Sequence, residues 1–428
     1  MHPNLSFEQA PPISVPFRFF LTAPLFGIAA GLLLLVQGGE MLSSRWVPSA
    51  LAGTHLLVVG FMLQAMCGAL LQFVPVAAGG NIWRPQWVAG LVHPLLIVAA
   101  GLLVAAFLLW RPALFAAAAH SFALALGFYV LVVGIAVWRT PAQGATIVAI
   151  RIAVVGLLAT LLLGVTLASD LGRGGSLPLL MLADVHAAWG LGGWALILLT
   201  GVSYYVVPMF QLTPPYPAGL AKAIPWLLLA VLLAWSAQFF GYSEAMRILL
   251  LVFGLGIGGA FAAATLYLQS RRRRKVGDTT LMFFRTAMFA LLAVLATVLV
   301  GMLLPDLWHD PRFAVWLGVL ALVGVFVSAI EGMLYKIIPF LIWLHLQRMC
   351  SLQTLPPTMN QMIAEPAMRR QYYAHLVALG LLLGAVWMPN LARPAGIAFM
   401  LDCGWLGFNL VAALRVYLRF KDRIRAGA

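Results

Sequence analysis

Apolar positions run in long blocks along nearly the whole chain, separated by short polar joints. Blocks of about 18–25 such residues are long enough to cross roughly 30 Å of hydrocarbon at 1.5 Å per residue. Twelve are readable, near 17–37, 49–76, 87–110, 112–138, 147–168, 183–210, 224–241, 246–268, 280–304, 313–346, 373–389 and 395–418. No polar stretch is long enough to fold separately, so the pattern predicts one all-α, polytopic transmembrane domain over residues 1–428. The first sixteen residues are polar and contain proline without a basic start, so no cleavable signal peptide is expected. Composition agrees: 63% of the residues are hydrophobic and 9% charged, more apolar surface than a soluble interior can hide.

The net charge of +14 raises the question of nucleic acid, and its distribution answers it. Threading twelve helices puts all but six of the 26 Lys and Arg on one side of the membrane. That side holds Arg271 to Lys275 and the tail Arg415, Arg419, Lys421, Arg423 and Arg425; the other holds Arg45, Arg111, Arg173, Arg247, Arg312 and Arg393. This is the positive-inside bias, which predicts cytoplasmic termini and a lipid bilayer, not nucleic acid, as the partner. The run "RRRRK" is then a topology anchor near anionic headgroups. Cys67, Cys350 and Cys403 are far apart, form no CxxC and are expected to be packing residues.

The pattern G-x7-G-x6-P occurs three times, as Gly60, Gly68, Pro75; as Gly193, Gly201, Pro208; and as Gly324, Gly332, Pro339. The copies are 133 and 131 residues apart and fall in the second, sixth and tenth predicted helices. Tyr204 and Tyr335 both stand four residues before the proline. On a helix the two glycines and the proline share a face within about 80°, where a neighbouring helix or a flat ligand can approach closely. The proline removes one backbone hydrogen bond and can kink or end the helix. Three pseudo-symmetric four-helix units follow, near 17–138, 147–268 and 280–418.

Ionisable side chains inside membrane helices are costly and need partners. His55, His120 and His186 fall near the periplasmic ends of predicted helices two, four and six, which makes them candidates for one metal or heme site. Trp189, Trp194, Gly190 and Gly192 around His186 are suited to line a heme slot, and Arg393 is a candidate partner for a propionate. Register tempers this, since His55 precedes its first repeat glycine by five residues and His186 by seven. A structural or interfacial role is expected of His93 and His375. Glu331, Tyr335 and Lys336 form a polar intramembrane patch: the first two share a face at i, i+4, while Lys336 points elsewhere or snorkels. A proton-carrying role and a hydrogen-bonded specificity role stay open for Glu331. Asp170, Asp184, Asp306, Asp310 and Asp402 fall mostly in loops or at helix ends, and no paired-carboxylate site is predicted. No Walker loop, nucleophile elbow or dinucleotide fingerprint occurs in a credible context.

Twelve helices in three units, with histidines on helices two and six, resemble the catalytic subunit of the heme-copper oxidases. "THLLVVGFMLQAMCGALLQFVPVAAGGN" resembles that family's second helix and "HAAWGLGGWALILLTGVSYYVVP" its sixth. The resemblance implies His55 as a heme ligand and His186 as a metal ligand. Helix seven, "IPWLLLAVLLAWSAQFF", lacks the family's histidines, and helix ten carries Glu331, Tyr335 and Lys336 where a His-x-His would stand, so a competent terminal oxidase is not expected. "VPFRFFLTAPLFGIAAGLLLL" with the "H…GF…G…VP…G" of helix two is similar to the NnrS family of heme- and copper-associated membrane proteins linked to nitric oxide stress. That similarity implies a bacterial inner-membrane protein binding heme b, with copper as the second candidate. Its role would lie in nitric oxide response, denitrification or respiratory cofactor handling, with partners among those components. The alternative is a transporter or permease with a polar intramembrane pathway, and a third reading is a cofactor-free assembly factor.

Overall fold

Twelve long helices form in the computed structural model, which describes residues 7–273, 277–350 and 356–426, the side chains of 7, 239, 240, 360, 425 and 426 apart. Arg274 and Lys275 of the basic run, and the Arg425 side chain, lie outside the described residues. The helices are α1 (Ser14–Leu42), α2 (Pro48–Ala77), α3 (Pro85–Leu109), α4 (Pro112–Trp138), α5 (Ala145–Leu171), α6 (Leu179–Gln211), α7 (Ala218–Ser236), α8 (Glu244–Ser270), α9 (Thr279–Leu303), α10 (Pro311–Gln347), α11 (Glu365–Trp387) and α12 (Pro389–Ile424). No strand occurs among the described residues. All except α11 are long and apolar enough to cross a membrane, so the chain is a multi-pass membrane protein. Helix α11 stands outside that set because its first half carries Arg369, Arg370, Gln371 and His375.

Helix ends follow local chemistry. Proline opens α2, α3 and α4, where its missing N–H costs nothing. Ser243 caps α8 by accepting the Met246 N–H, and Asp278 caps α9 by accepting the Leu281 N–H at 2.9 Å. Trp83, Trp87, Trp110 and Trp138 stand exposed at the ends of α3 and α4, where amphipathic rings favour the headgroup level.

The chain forms two compact units. The first comprises Met1–Ala10, Leu70–Lys275 and Met288–Asp310, the second Pro11–Ala69, Val276–Ala287 and Pro311–Ala428. In the first, α3 packs on α4, α4 on α5, and α5 on α6 and α7, around fully buried Phe115, Tyr129 and Phe261. In the second, α12 lies between α1 and α11 and also touches α10, around buried Phe19, Phe61, Phe283 and Phe284. Glycine permits the tightest of these contacts. A Cβ on Gly31 of α1 would come within 2.7 Å of the Gly396 carbonyl of α12, so only bare backbone fits there.

The sequence repeat has a local structural counterpart. Residues Leu56–Leu63, Trp189–Leu196 and Leu320–Val327 are π-helical, and their starts have the same 133- and 131-residue spacing as the repeat. The first repeat glycine is the fifth residue of each π segment. Such segments insert one extra residue into the turn and re-aim the side chains that follow. The second repeat glycine is equally regular in use. A Cβ at Gly68 would meet the Phe19 Cβ at 2.8 Å, one at Gly332 would meet the Phe283 Cβ at 2.8 Å, and one at Gly201 would collide with the Ala149 Cβ. Each lets the preceding long helix of its own unit approach. The repeat prolines end none of the helices at once: α2 closes at Ala77, α6 at Gln211, and α10 runs through Pro339 to Gln347.

Candidate functional site

Glu331, His375 and Asp402 meet inside the second unit. They come from α10, α11 and α12, and none exposes any surface. His375 Nδ1 lies 2.9 Å from Asp402 Oδ2 and 3.2 Å from Glu331 Oε2. Gln371, one turn before His375 on α11 and also fully buried, reaches both carboxylates: its Nε2 donates to Glu331 Oε2 at 3.0 Å and to Asp402 Oδ1 at 2.6 Å.

The far side of the imidazole is held as closely. Ser328 is the first residue after the third π segment, and its Oγ lies 2.7 Å from His375 Nε2. The Ser328 hydroxyl has one proton, which it donates to the Val323 carbonyl at 3.1 Å. It therefore accepts from Nε2–H, while Nδ1 faces only carboxylate oxygens; in this arrangement both ring nitrogens donate. Two carboxyl groups and one imidazole share the site, so its charge closes with a proton on one carboxyl or with a bound cation. Glu331 Oε1 and Gln371 Oε1, both buried, have no hydrogen-bond partner. In an interior of low dielectric such oxygens carry a desolvation cost that a bound positive group removes.

Packing seals the site. The Phe283 ring of α9 sits 5.4 Å from the His375 ring, 4.9 Å from Tyr372 and 6.1 Å from Tyr335. It reaches that place because Gly332, the residue after Glu331, has no side chain. Tyr335 accepts from Asn409 Nδ2 at 2.8 Å. Asn409 in turn lines a groove of about 520 Å³ on the α11–α12 face, with Arg370, Trp405 and Phe408. Among the described residues, this is the one cluster of three His, Cys, Asp or Glu whose ligand atoms all lie within 4.8 Å of one another.

Other sequence candidates fall elsewhere. Lys336 leaves the Glu331–Tyr335 face and pairs with Asp278 Oδ2 at 2.9 Å. Burial pushes the Asp278 carboxyl up, but Lys336, Thr280 and the Leu281 N–H together hold it below its ordinary value. His55 lies in the second unit, with its Nδ1 2.8 Å from the Leu51 carbonyl. His120 and His186 lie in the first, with Nδ1 at 2.7 Å from the Ala116 carbonyl and 3.1 Å from the Thr160 carbonyl. His120 is exposed, while His186 leans on α5, where a Cβ at Gly164 would come within 2.9 Å of its ring. Trp189 is buried and donates to Ser236 Oγ at 2.8 Å; Trp194 is buried with no partner for its Nε1. Arg393 is exposed beside Gly38.

Protein-family models and curated proteins match nowhere on this chain.

The site therefore stands on its own geometry. Two expectations are corrected by it. Asp402 is not a helix-end residue but sits within α12 with no exposed surface, and it forms with Glu331 the paired carboxylates that the sequence did not predict. Of the structural or interfacial role expected of His375, the interfacial half is corrected: the side chain is fully buried at the centre of the cluster. Partners separated by 27, 31 and 40 residues on three helices leave no periodic signature. The readable signals were Glu331 itself and the polar first half of α11, unusual in a helix otherwise apolar to Trp387.

Proposed function

We propose that the protein is a membrane transporter or permease that accepts a cation at the Glu331–His375–Asp402 centre. The observation that carries this reading is the burial of three ionisable side chains, without exposed surface, within 4.8 Å of one another. Inside membrane helices such groups are expensive and are kept where ions bind or pass. Two carboxyl groups beside one imidazole can take a positive occupant in place of a proton, and the partnerless Glu331 Oε1 and Gln371 Oε1 give it further oxygens to meet. The positive-inside bias supports cytoplasmic termini, in keeping with a bacterial inner-membrane protein. The test is flux: the full chain is reconstituted in liposomes and proton and divalent-cation entry are followed with enclosed dyes. Wild type should exceed protein-free liposomes, and folded Glu331→Gln should lose at least tenfold. A wild type that moves neither ion overturns the reading.

A second reading, heme b with copper as the other candidate metal, is favoured by a separate observation. His120 and His186 in the first unit, and His55 in the second, each hold Nδ1 on a backbone carbonyl, which fixes the ring orientation as is usual for metal-bound histidine. Trp189, Trp194 and Arg393 would then serve as slot and propionate partner, and a nitric oxide or respiratory role with partners of that kind would follow. Its test is optical: a Soret band that disappears in His55→Ala supports it, and a folded, colourless protein excludes it.

A further inference from the structure

We propose that the Glu331–His375–Asp402 centre is a binding site for one divalent first-row transition-metal ion, with Gln371 as its fourth ligand. The inference rests on the cation-accepting reading above and names the ion class. Four donors converge from three helices: His375 Nδ1, Glu331 Oε2, one oxygen of Asp402 and the Gln371 amide. The distances of 2.9 and 3.2 Å from Nδ1 to the two carboxylate oxygens match the edge of a coordination polyhedron with bonds near roughly 2.1 Å.

Gln371 supplies an observation independent of the acidic pair. Its Nε2 points at both carboxylates while its Oε1, fully buried, has no partner. The two ends of an amide have nearly the same shape, and turning the group by half a rotation sets Oε1 where Nε2 now lies. With a metal between the carboxylates no N–H is needed there, and the carbonyl oxygen becomes a ligand. The orphaned oxygen is thereby satisfied.

The contacts behind the imidazole agree. Ser328 accepts from Nε2–H and passes the bond to the Val323 carbonyl, which fixes the ring so that Nδ1 is its coordinating atom. The third π segment sets Ser328 in place, which gives one of the three repeated segments a task that the others lack: Gln64 and Ile197 stand at the corresponding positions. Charge closes as well, once the incoming ion displaces the proton of His375 Nδ1 to solvent. Two carboxylates and a divalent ion form a neutral group, the least costly one to bury within a membrane.

The donor set selects the ion class. One imidazole nitrogen and three oxygens suit Mn²⁺, Fe²⁺, Co²⁺ or Zn²⁺. Calcium prefers six to eight oxygens, and copper(I) prefers thiolate or thioether. Cys403, next to Asp402, packs against Gly27 of α1, where a Cβ would collide with its sulfur.

The test uses the full chain in nanodiscs, stripped with chelator and titrated with Mn²⁺ by electron paramagnetic resonance and with Co²⁺ by visible absorption. One Mn²⁺ per chain is expected, displaced by Zn²⁺, with a nitrogen coupling that disappears in His375→Ala. Asp402→Asn should weaken binding at least tenfold. Ser328→Ala, which removes no ligand, should weaken it about 10–100-fold, and Gln371→Glu, which adds a negative oxygen, should tighten it. Wild type without stoichiometric binding overturns the proposal, as does binding that survives both Asp402→Asn and His375→Ala. If those two variants do not fold, unchanged affinity in Ser328→Ala and Gln371→Glu overturns it equally. Ion flux that depends on Glu331 without metal binding sinks the metal and leaves the transport reading standing; metal binding without flux does the reverse.

Discussion

His375 on α11 and Asp402 on α12 meet at 2.9 Å, and neither has any exposed surface. A pair buried so completely is held together by its own completeness. Removing one member strands the other, because the desolvation cost remains while the attraction is lost.

The first prediction follows directly. His375→Ala leaves Glu331 and Asp402 facing each other without an imidazole and should destabilise the fold by about 3–5 kcal/mol. Thermal unfolding in detergent measures it, and a variant with wild-type stability would show that the pair carries no such energy. Replacing Glu331, His375 and Asp402 together by apolar residues of similar volume should cost much less than the sum of the three single changes.

Gly332 predicts a packing effect next to the site. Gly332→Ala sets a methyl group 2.8 Å from the Phe283 Cβ and 3.2 Å from the Thr280 carbonyl, which should cost about 1–3 kcal/mol. It should also displace the ring that seals His375, so metal or ion binding weakens with stability. The control is Gly256→Ala on α8, where an added Cβ meets nothing within 4 Å. That variant should equal or slightly exceed wild type in stability, since alanine is the better helix former.

Much of the architecture was legible in the chain, and the reason is physical. A membrane helix must satisfy its backbone internally and present an apolar exterior, so its length and composition are written locally. The repeat of Gly68, Gly201 and Gly332 was legible for the same reason, since each serves one close approach by a neighbouring helix. The π segments were not, because no residue preference distinguishes them strongly from α-helix. The site was half legible: Glu331 announces itself in an apolar run, whereas Asp402, Gln371 and His375 acquire meaning only when α10, α11 and α12 are brought together. A lone histidine in an apolar helix is more often a packing residue, and that prior misplaced His375.

Acid should weaken the second unit at the start of α9. The Asp278 carboxyl lies below its ordinary value of 3.8, where burial opposes ionisation but Lys336 and the cap bonds prevail. A depressed carboxyl contributes stability that is present above the unfolded value and lost as pH falls through the folded one. Stability should therefore drop below about pH 4, and Asp278→Asn should flatten that acid limb while lowering stability at neutral pH. An acid limb unchanged in Asp278→Asn would contradict the assignment.

In the first unit, Trp189 Nε1 depends on Ser236 Oγ at 2.8 Å. Ser236→Ala leaves a buried indole N–H without an acceptor and should cost about 1–3 kcal/mol. Ser236→Thr, which keeps the hydroxyl, should restore most of it. Unfolding curves of the two variants decide, and equal losses would show that shape, not the bond, is at stake.

The most direct test of the central claim compares initial cation entry into liposomes bearing folded wild type and folded Asp402→Asn. The substitution keeps shape and removes one of the two carboxyl groups that face His375. The account predicts at least a tenfold loss of entry, with His345→Ala, whose ring bonds the Leu341 and Pro11 carbonyls away from the cluster, left near wild type. Equal entry through wild type and Asp402→Asn would contradict it.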